Sequence, residues 1–148
     1  MTNGAVQVLL VEDNPNDVKL TLRALEKHRL ANRIEVVRDG QAALDFLFGT
    51  GGGESPVTHN PAPRLILLDL KLPKFSGLEV LERIKADPRT RTIPVTILTS
   101  SREDIDIERA YQLGVNSYIV KPVDFTQFSE AVEQLGFYWL LLNELPTS

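Results

Sequence analysis

Val6-Gln7-Val8-Leu9-Leu10-Val11-Glu12-Asp13-Asn14-Pro15-Asn16-Asp17 decides how the chain is read. A mostly apolar run that ends abruptly in acids is the pattern of a strand buried on both faces of a parallel sheet. Asn14 then suits a helix N-cap, Pro15 the first helical position, and Asp17 the positive end of that helix. Val18, Leu22 and Leu25 follow on one helical face. The segment is one strand feeding one helix, with two carboxylates at the joint.

The same phrase recurs along the chain. Ile34 to Val37 is a short strand, Asp39-Gly40 a turn, and Ala42 to Phe48 a helix. Arg64-Leu65-Ile66-Leu67-Leu68-Asp69 is a second apolar run closed by an acid. Ser76-Gly77-Leu78-Glu79 reads as a capping box, opening a helix that carries Val80, Leu81 and Ile84 and stops near Asp87-Pro88. Pro94 to Thr99 is a fourth strand, Arg102 to Leu113 a helix with Gly114 as its cap, and Ser117 to Val120 a fifth strand. A last helix, opened by Asp124 and Gln127, runs to about Leu142. Five strands alternating with five helices predict a doubly wound α/β fold: a five-stranded parallel sheet with helices on both faces. One domain fills residues 1–148, with its core between about 6 and 142. Residues 49–63 hold a glycine triplet and three prolines without periodicity, and are expected to form a long surface loop.

Composition sets the outer limits. The chain has 148 residues, 43% hydrophobic and 24% charged, which suits one soluble domain. With no Cys, disulfides, thiolate metal sites and cysteine nucleophiles are excluded. The start, Met1-Thr2-Asn3-Gly4-Ala5, does not read as a secretory signal, and no apolar run is long enough to span a bilayer. A cytoplasmic protein without membrane contact is expected. A net charge of −4 argues against a nucleic-acid surface.

In an open parallel sheet, ligands bind beyond the carboxyl ends of the strands, where strand order reverses. The polar residues placed there are Glu12 and Asp13, Asp69, Thr99, and Lys121. Singly, each has an ordinary explanation as a helix cap, a strand threonine or a surface lysine. Four such endings at matching places favour one shared site. Three carboxylates brought together repel and demand a cation. Mg²⁺ is the natural one, since it prefers oxygen ligands and bridges carboxylates to phosphate. A carboxylate can also act as nucleophile toward phosphorus, with Lys121 and Thr99 offering a cation and a hydroxyl to the developing charge.

In this ordered set, Glu12-Asp13, Asp69, Thr99-Ser100 and Lys121-Pro122, the chain resembles a response-regulator receiver domain over nearly its whole length. The resemblance implies a strand order of 2-1-3-4-5, phosphorylation of Asp69 by a histidine kinase, and contacts from Thr99 and Lys121 to the phosphoryl group. It implies Mg²⁺ held by Glu12, Asp13, Asp69 and the backbone carbonyl of Lys71, a cis bond before Pro122, and a switch in which Thr99 moves and Tyr118 turns inward. Lys71 and Arg102 are expected to sit at the rim and tune phosphoryl lifetime. A receiver of this kind is a phosphoacceptor signalling protein, catalysing only its own phosphotransfer and dephosphorylation. Glu12 to Asp17, Asp69 to Lys74, the long loop and the ending Phe137-Tyr138-Trp139-Leu140-Leu141-Leu142-Asn143 resemble the stand-alone regulators paired with bacterial and cyanobacterial phytochromes.

The last helix adds a further expectation. Phe125, Phe128, Val132, Leu135, Trp139 and Leu142 form its core stripe, while Phe137, Tyr138 and Leu141 fall off that stripe. A second apolar stripe on a closing helix marks an interface, so a homodimer through this helix is expected. Among rival readings, an aspartyl-phosphate phosphatase needs a second acid where Lys71 stands. A flavin module needs a Ser/Thr-rich loop where Glu12-Asp13 stand. A degenerate receiver serving as a phosphorylation-independent interaction module is the remaining alternative.

Overall fold

In the computed structural model, residues 8–27, 33–49, 63–121, 126, 127, 129, 130 and 134 are described. Their elements follow one another as β1 (Val8–Val11), α1 (Pro15–Lys27), β2 (Ile34–Val37), α2 (Gly40–Phe48), β3 (Leu65–Leu68), α3 (Gly77–Ala86), β4 (Val95–Thr99), α4 (Asp104–Gln112) and β5 (Ser117–Val120). The strands form one parallel sheet in the order β2-β1-β3-β4-β5. This is the doubly wound α/β architecture and the strand order expected. Order reverses between β1 and β3, which makes the carboxyl ends of those two strands the switch point.

Burial on both faces explains why the strands read as unbroken apolar runs. Leu9, Val11, Ile66, Leu68, Val95 and Ile97 pack on one side with residues of α2, α3 and α4. Val8, Leu10, Leu65, Leu67 and Leu98 pack on the other side with α1. Each such side chain removed from water contributes about 1.5–3 kcal/mol. The stripe of α1 is rotated slightly from the one expected: Val18, Thr21, Ala24 and Leu25 are buried, and Leu22 sits half-buried at its edge.

Local signals set the boundaries. Asn14 Oδ1 accepts from the amides of Asn16 and Asp17, at 2.9 and 3.2 Å, and caps α1. Asp39 accepts from Ala42 N at 2.7 Å, so α2 begins at Gly40, two residues earlier than expected. Ser76 and Glu79 make the full capping box of α3. Toward the other sheet edge, α4 begins at Asp104 rather than Arg102, because Ser101 folds back and its Oγ accepts from Glu103 N at 3.3 Å.

One close approach fixes where β3 hands over to α3. A Cβ on Gly77 would stand 2.1 Å from the backbone oxygen of Asp69 and 2.5 Å from Leu70 Cα. Only a glycine lets α3 start directly against the end of β3, and Gly77 N donates to Leu70 O at 2.9 Å across that contact.

Of the fifth helix expected from sequence, residues 126, 127, 129, 130 and 134 are described and are helical; the rest of it, with Phe137, Tyr138 and Leu141, the bond before Pro122 and most of the long loop (residues 50–62), lies outside the described residues. Four helices are described in full. Among the described residues, no helix is long and apolar enough to cross a membrane.

Candidate phosphoacceptor and metal site

Strand register brings the acids together. Val11 of β1 pairs with Leu68 of β3, so Glu12 and Asp69 are the next residues on neighbouring strands. Asp69 N donates to Val11 O at 3.0 Å and Glu12 N to Val37 O at 3.0 Å, carrying the ladder one residue past the strand ends. Asp13 follows Glu12 into solvent. One ligand oxygen each from Glu12, Asp13 and Asp69 lies within 4.8 Å of the others. Glu12 and Asp69 are only 2% and 7% exposed, whereas Asp13 is open.

Thr99 of β4 pairs with Val120 of β5, so Lys121 is the first residue beyond that pair, and its amide donates to Thr99 O at 2.8 Å. Its ammonium reaches back across the switch point. Lys121 Nζ stands 2.6 Å from Glu12 Oε1, 2.7 Å from Asp17 Oδ2 and 3.4 Å from Asp69 Oδ2. Asp69 is held on its other side by Lys71 N, which donates to Oδ1 at 3.3 Å. Asn14 N donates to Glu12 Oε2 at 3.2 Å.

The electrostatics follow from this crowding. Burial pushes the Glu12 carboxyl up to about 7; the hydrogen bond from Lys121 opposes that rise and the nearby Asp69 charge adds to it. Burial works against the Lys121 ammonium too. Its hydrogen bonds to Asp17 and Glu12, with the attraction of Asp69, outweigh burial and hold its pKa above the ordinary lysine value. A buried carboxylate pushed that far toward its neutral form gains by pairing with a cation of higher charge. The donor set, three carboxylates beside a backbone turn, suits a hard divalent cation such as Mg²⁺.

Thr99 is fully buried, and its Oγ1 accepts from Ser101 N at 3.4 Å. Ser101 O in turn accepts from the Tyr118 hydroxyl at 3.1 Å, and Ser101 Oγ donates to Asp106 Oδ2 at 2.6 Å. A short polar chain therefore runs from Thr99 through the loop at 100–103 to Tyr118 on β5 and Asp106 on α4. The structure thus gathers Glu12, Asp13, Asp69, Lys71 and Lys121 in one place, with Thr99 at the end of the adjoining strand. Arg102 lies exposed on the 100–103 loop.

A family model for the response regulator receiver domain matches residues 8–133. The chain belongs to the response regulator receiver family. Receivers of this family are phosphoacceptor signalling domains rather than enzymes. The receiver is 48% identical over 140 residues to the probable methanogenesis regulatory protein FilR2 of Methanothrix harundinacea, covering 94% of this chain and 86% of that protein. It is 38% identical over 147 residues to the response regulator Rcp1 of Synechocystis, covering 99% and 97%. A Mn²⁺-bound crystal form of Rcp1 superposes with a TM-score of 0.83 at 37% identity, over 96% of this chain and 99% of that one. The phosphorylated cyanobacterial phytochrome response regulator RcpA superposes with a TM-score of 0.85 at 38% identity, over 97% and 100%.

The sequence reading missed one residue of the site. Asp17 was assigned only to the positive end of α1, yet its carboxylate makes one of the two shortest contacts to Lys121. The available signal was positional: α1 starts at the sheet's carboxyl edge, so its first turn faces the strand ends.

Proposed function

We propose that the chain is a single-domain response regulator that takes a phosphoryl group on Asp69 from a histidine kinase, with Mg²⁺ held by Glu12, Asp13, Asp69 and the backbone carbonyl of Lys71. One observation carries the reading: Asp69 is a nearly buried carboxylate flanked by two further acids and faced by the Lys121 ammonium. An Asp69 oxygen forms a bond to phosphorus as the phosphorus–nitrogen bond of a phosphohistidine breaks, the electron pair leaving on the imidazole nitrogen. Lys71 N orients the carboxylate. Lys121, whose longest contact is the one to Asp69 Oδ2 at 3.4 Å, brings its ammonium beside the incoming oxygens, and the Thr99 hydroxyl at the end of the adjoining strand is a further donor for them. A divalent cation at the three carboxylates supplies neutralisation of phosphoryl charge.

The added group carries roughly −1.5 to −2 charges. A Thr99 hydroxyl drawn toward it gives up its role as acceptor for Ser101 N. The loop that holds the Tyr118 hydroxyl then loosens, which supports an inward turn of Tyr118 as the switch. Similarity to Rcp1 and RcpA supports a kinase of the phytochrome photoreceptor type, acting in the cytoplasm. Similarity to FilR2 favours including kinases of other inputs in the test.

Intact-mass spectrometry after incubation with acetyl phosphate and Mg²⁺ tests the chemistry. The expected result is a gain of one phosphoryl group, abolished in Asp69→Asn and without Mg²⁺. Phosphotransfer from a panel of histidine kinases then identifies the donor. A wild-type protein that takes no phosphoryl group from either source would leave the degenerate, phosphorylation-independent module as the better reading.

A further inference from the structure

We propose that Asp17 is a positioning residue: it holds the Lys121 ammonium on α1, and so frees Glu12 and Asp69 to bind a divalent cation. The proposal rests on the reading of Glu12, Asp13 and Asp69 as the cation site. Lys121 Nζ is shared by three carboxylates from three elements. Glu12 closes β1, Asp69 closes β3, and Asp17 lies in the first turn of α1, at 2.6, 3.4 and 2.7 Å. Asp13, beside Glu12, is the other charged group of the cluster. Two of the three partners, Glu12 and Asp69, belong to the group of oxygens that lie within 4.8 Å of one another; Asp17 does not.

That division sets up a competition. An ammonium on Glu12 Oε1 neutralises a carboxylate of the cation cluster, and two cations repel at this range. The ammonium cannot simply retreat to water, because its side chain is 11% exposed and a buried charge without a partner is costly. Asp17 resolves the conflict. Its side chain is 27% exposed against 3% for Glu12, so it meets the ammonium with less desolvation. It already forms a short bond to the ammonium outside the cation cluster, and that bond can persist when Glu12 is released. Asp17 can be changed without removing the helix cap, which is provided by Asn14 Oδ1.

The test is a Mg²⁺ titration by calorimetry on the full chain, for wild type, Asp17→Asn, Asp17→Glu, Lys121→Met and the Asp17→Asn/Lys121→Met double variant. Melting in EDTA checks that each is folded. Asp17→Asn is expected to weaken Mg²⁺ binding about five-fold where Lys121 is present, and less than about two-fold where it is Met, the pairwise coupling of two residues in contact. Asp17→Glu, which restores the carboxylate, should recover most of the affinity. Should Lys121→Met not fold, Lys121→Gln takes its place. An equal loss in both backgrounds would mean that Asp17 acts only as a distant charge, and no loss would mean that it does nothing for the cation; either overturns the proposal. A wild type that does not bind Mg²⁺ at millimolar concentration overturns the cation site itself, and with it this inference.

Discussion

Glu12 shows how far one buried carboxyl can be driven by its surroundings. Burial raises it to about 7, with the attraction of Lys121 opposing the rise and repulsion from Asp69 adding to it. Asp13 and Asp17 are the other acids of the site, and Lys121 stays charged across the relevant range. A carboxyl whose folded pKa lies above its unfolded value favours folding most at low pH. That contribution is present below about 4.5 and is lost as pH rises through about 7. The metal-free protein should therefore lose stability between those values through this group, and Glu12→Gln should flatten the slope. Lys85, lowered to about 8 by burial, changes protonation only above this window. Cation binding needs the ionised carboxylate, so Mg²⁺ affinity should fall about ten-fold per pH unit below about 7. Thermal melts in EDTA and Mg²⁺ titrations from pH 5.5 to 7.5 check both effects; a pH-independent Mg²⁺ affinity would remove Glu12 from the ligand set. At this scale Glu12, Asp13, Asp69 and Lys121 were legible because each ends an apolar strand. Asp17 was not, because an acid at a helix start already has a sufficient local reason to be there.

Between residue and fold stand the segments that join the site to the surface. The loop at 100–103 links Thr99 to Tyr118 by two hydrogen bonds, Ser101 N to Thr99 Oγ1 and Tyr118 Oη to Ser101 O. Tyr118 was legible as a fifth-strand aromatic through the family resemblance. Its partner was not, since a side chain donating to a backbone carbonyl 17 residues away leaves no mark in local spacing. The late start of α4 has the same origin: Ser101 and Asp106 fasten the loop and delay the helix. Tyr118→Phe removes the donor and leaves the ring. If the hydroxyl belongs to the resting arrangement, the variant should destabilise the unphosphorylated protein by about 1 kcal/mol in urea, the net value of one such bond. The protein kept phosphorylated by excess acetyl phosphate and Mg²⁺ should lose less. Equal losses in both states would take the tether out of the switch.

For the whole molecule, period and strand-end chemistry made the layered fold readable. Runs such as Leu65 to Leu68 are apolar on both faces, and only a sheet covered by helices on both sides buries them. Long-range contact is harder to read, as Gly77 against Asp69 O shows. Association is a property of this scale, and here the described surface contributes little: among the described residues, Ile105 and Tyr111 on α4 are the exposed large hydrophobics. Two side chains fall far short of the roughly 1,200 Å² that a stable interface buries. The homodimer expected from the sequence would draw instead on Phe137, Tyr138 and Leu141, the apolar stripe that the sequence places off the core face of the last helix. The expected result is a light-scattering mass of twice the monomer at micromolar concentration. Phe137→Ser with Leu141→Ser should halve that mass and leave phosphorylation of Asp69 intact, because neither position ends a strand at the site. A monomeric wild type would sink the dimer. A doubly substituted chain that stays dimeric would move the interface to another surface, with Ile105 and Tyr111 the next side chains to change.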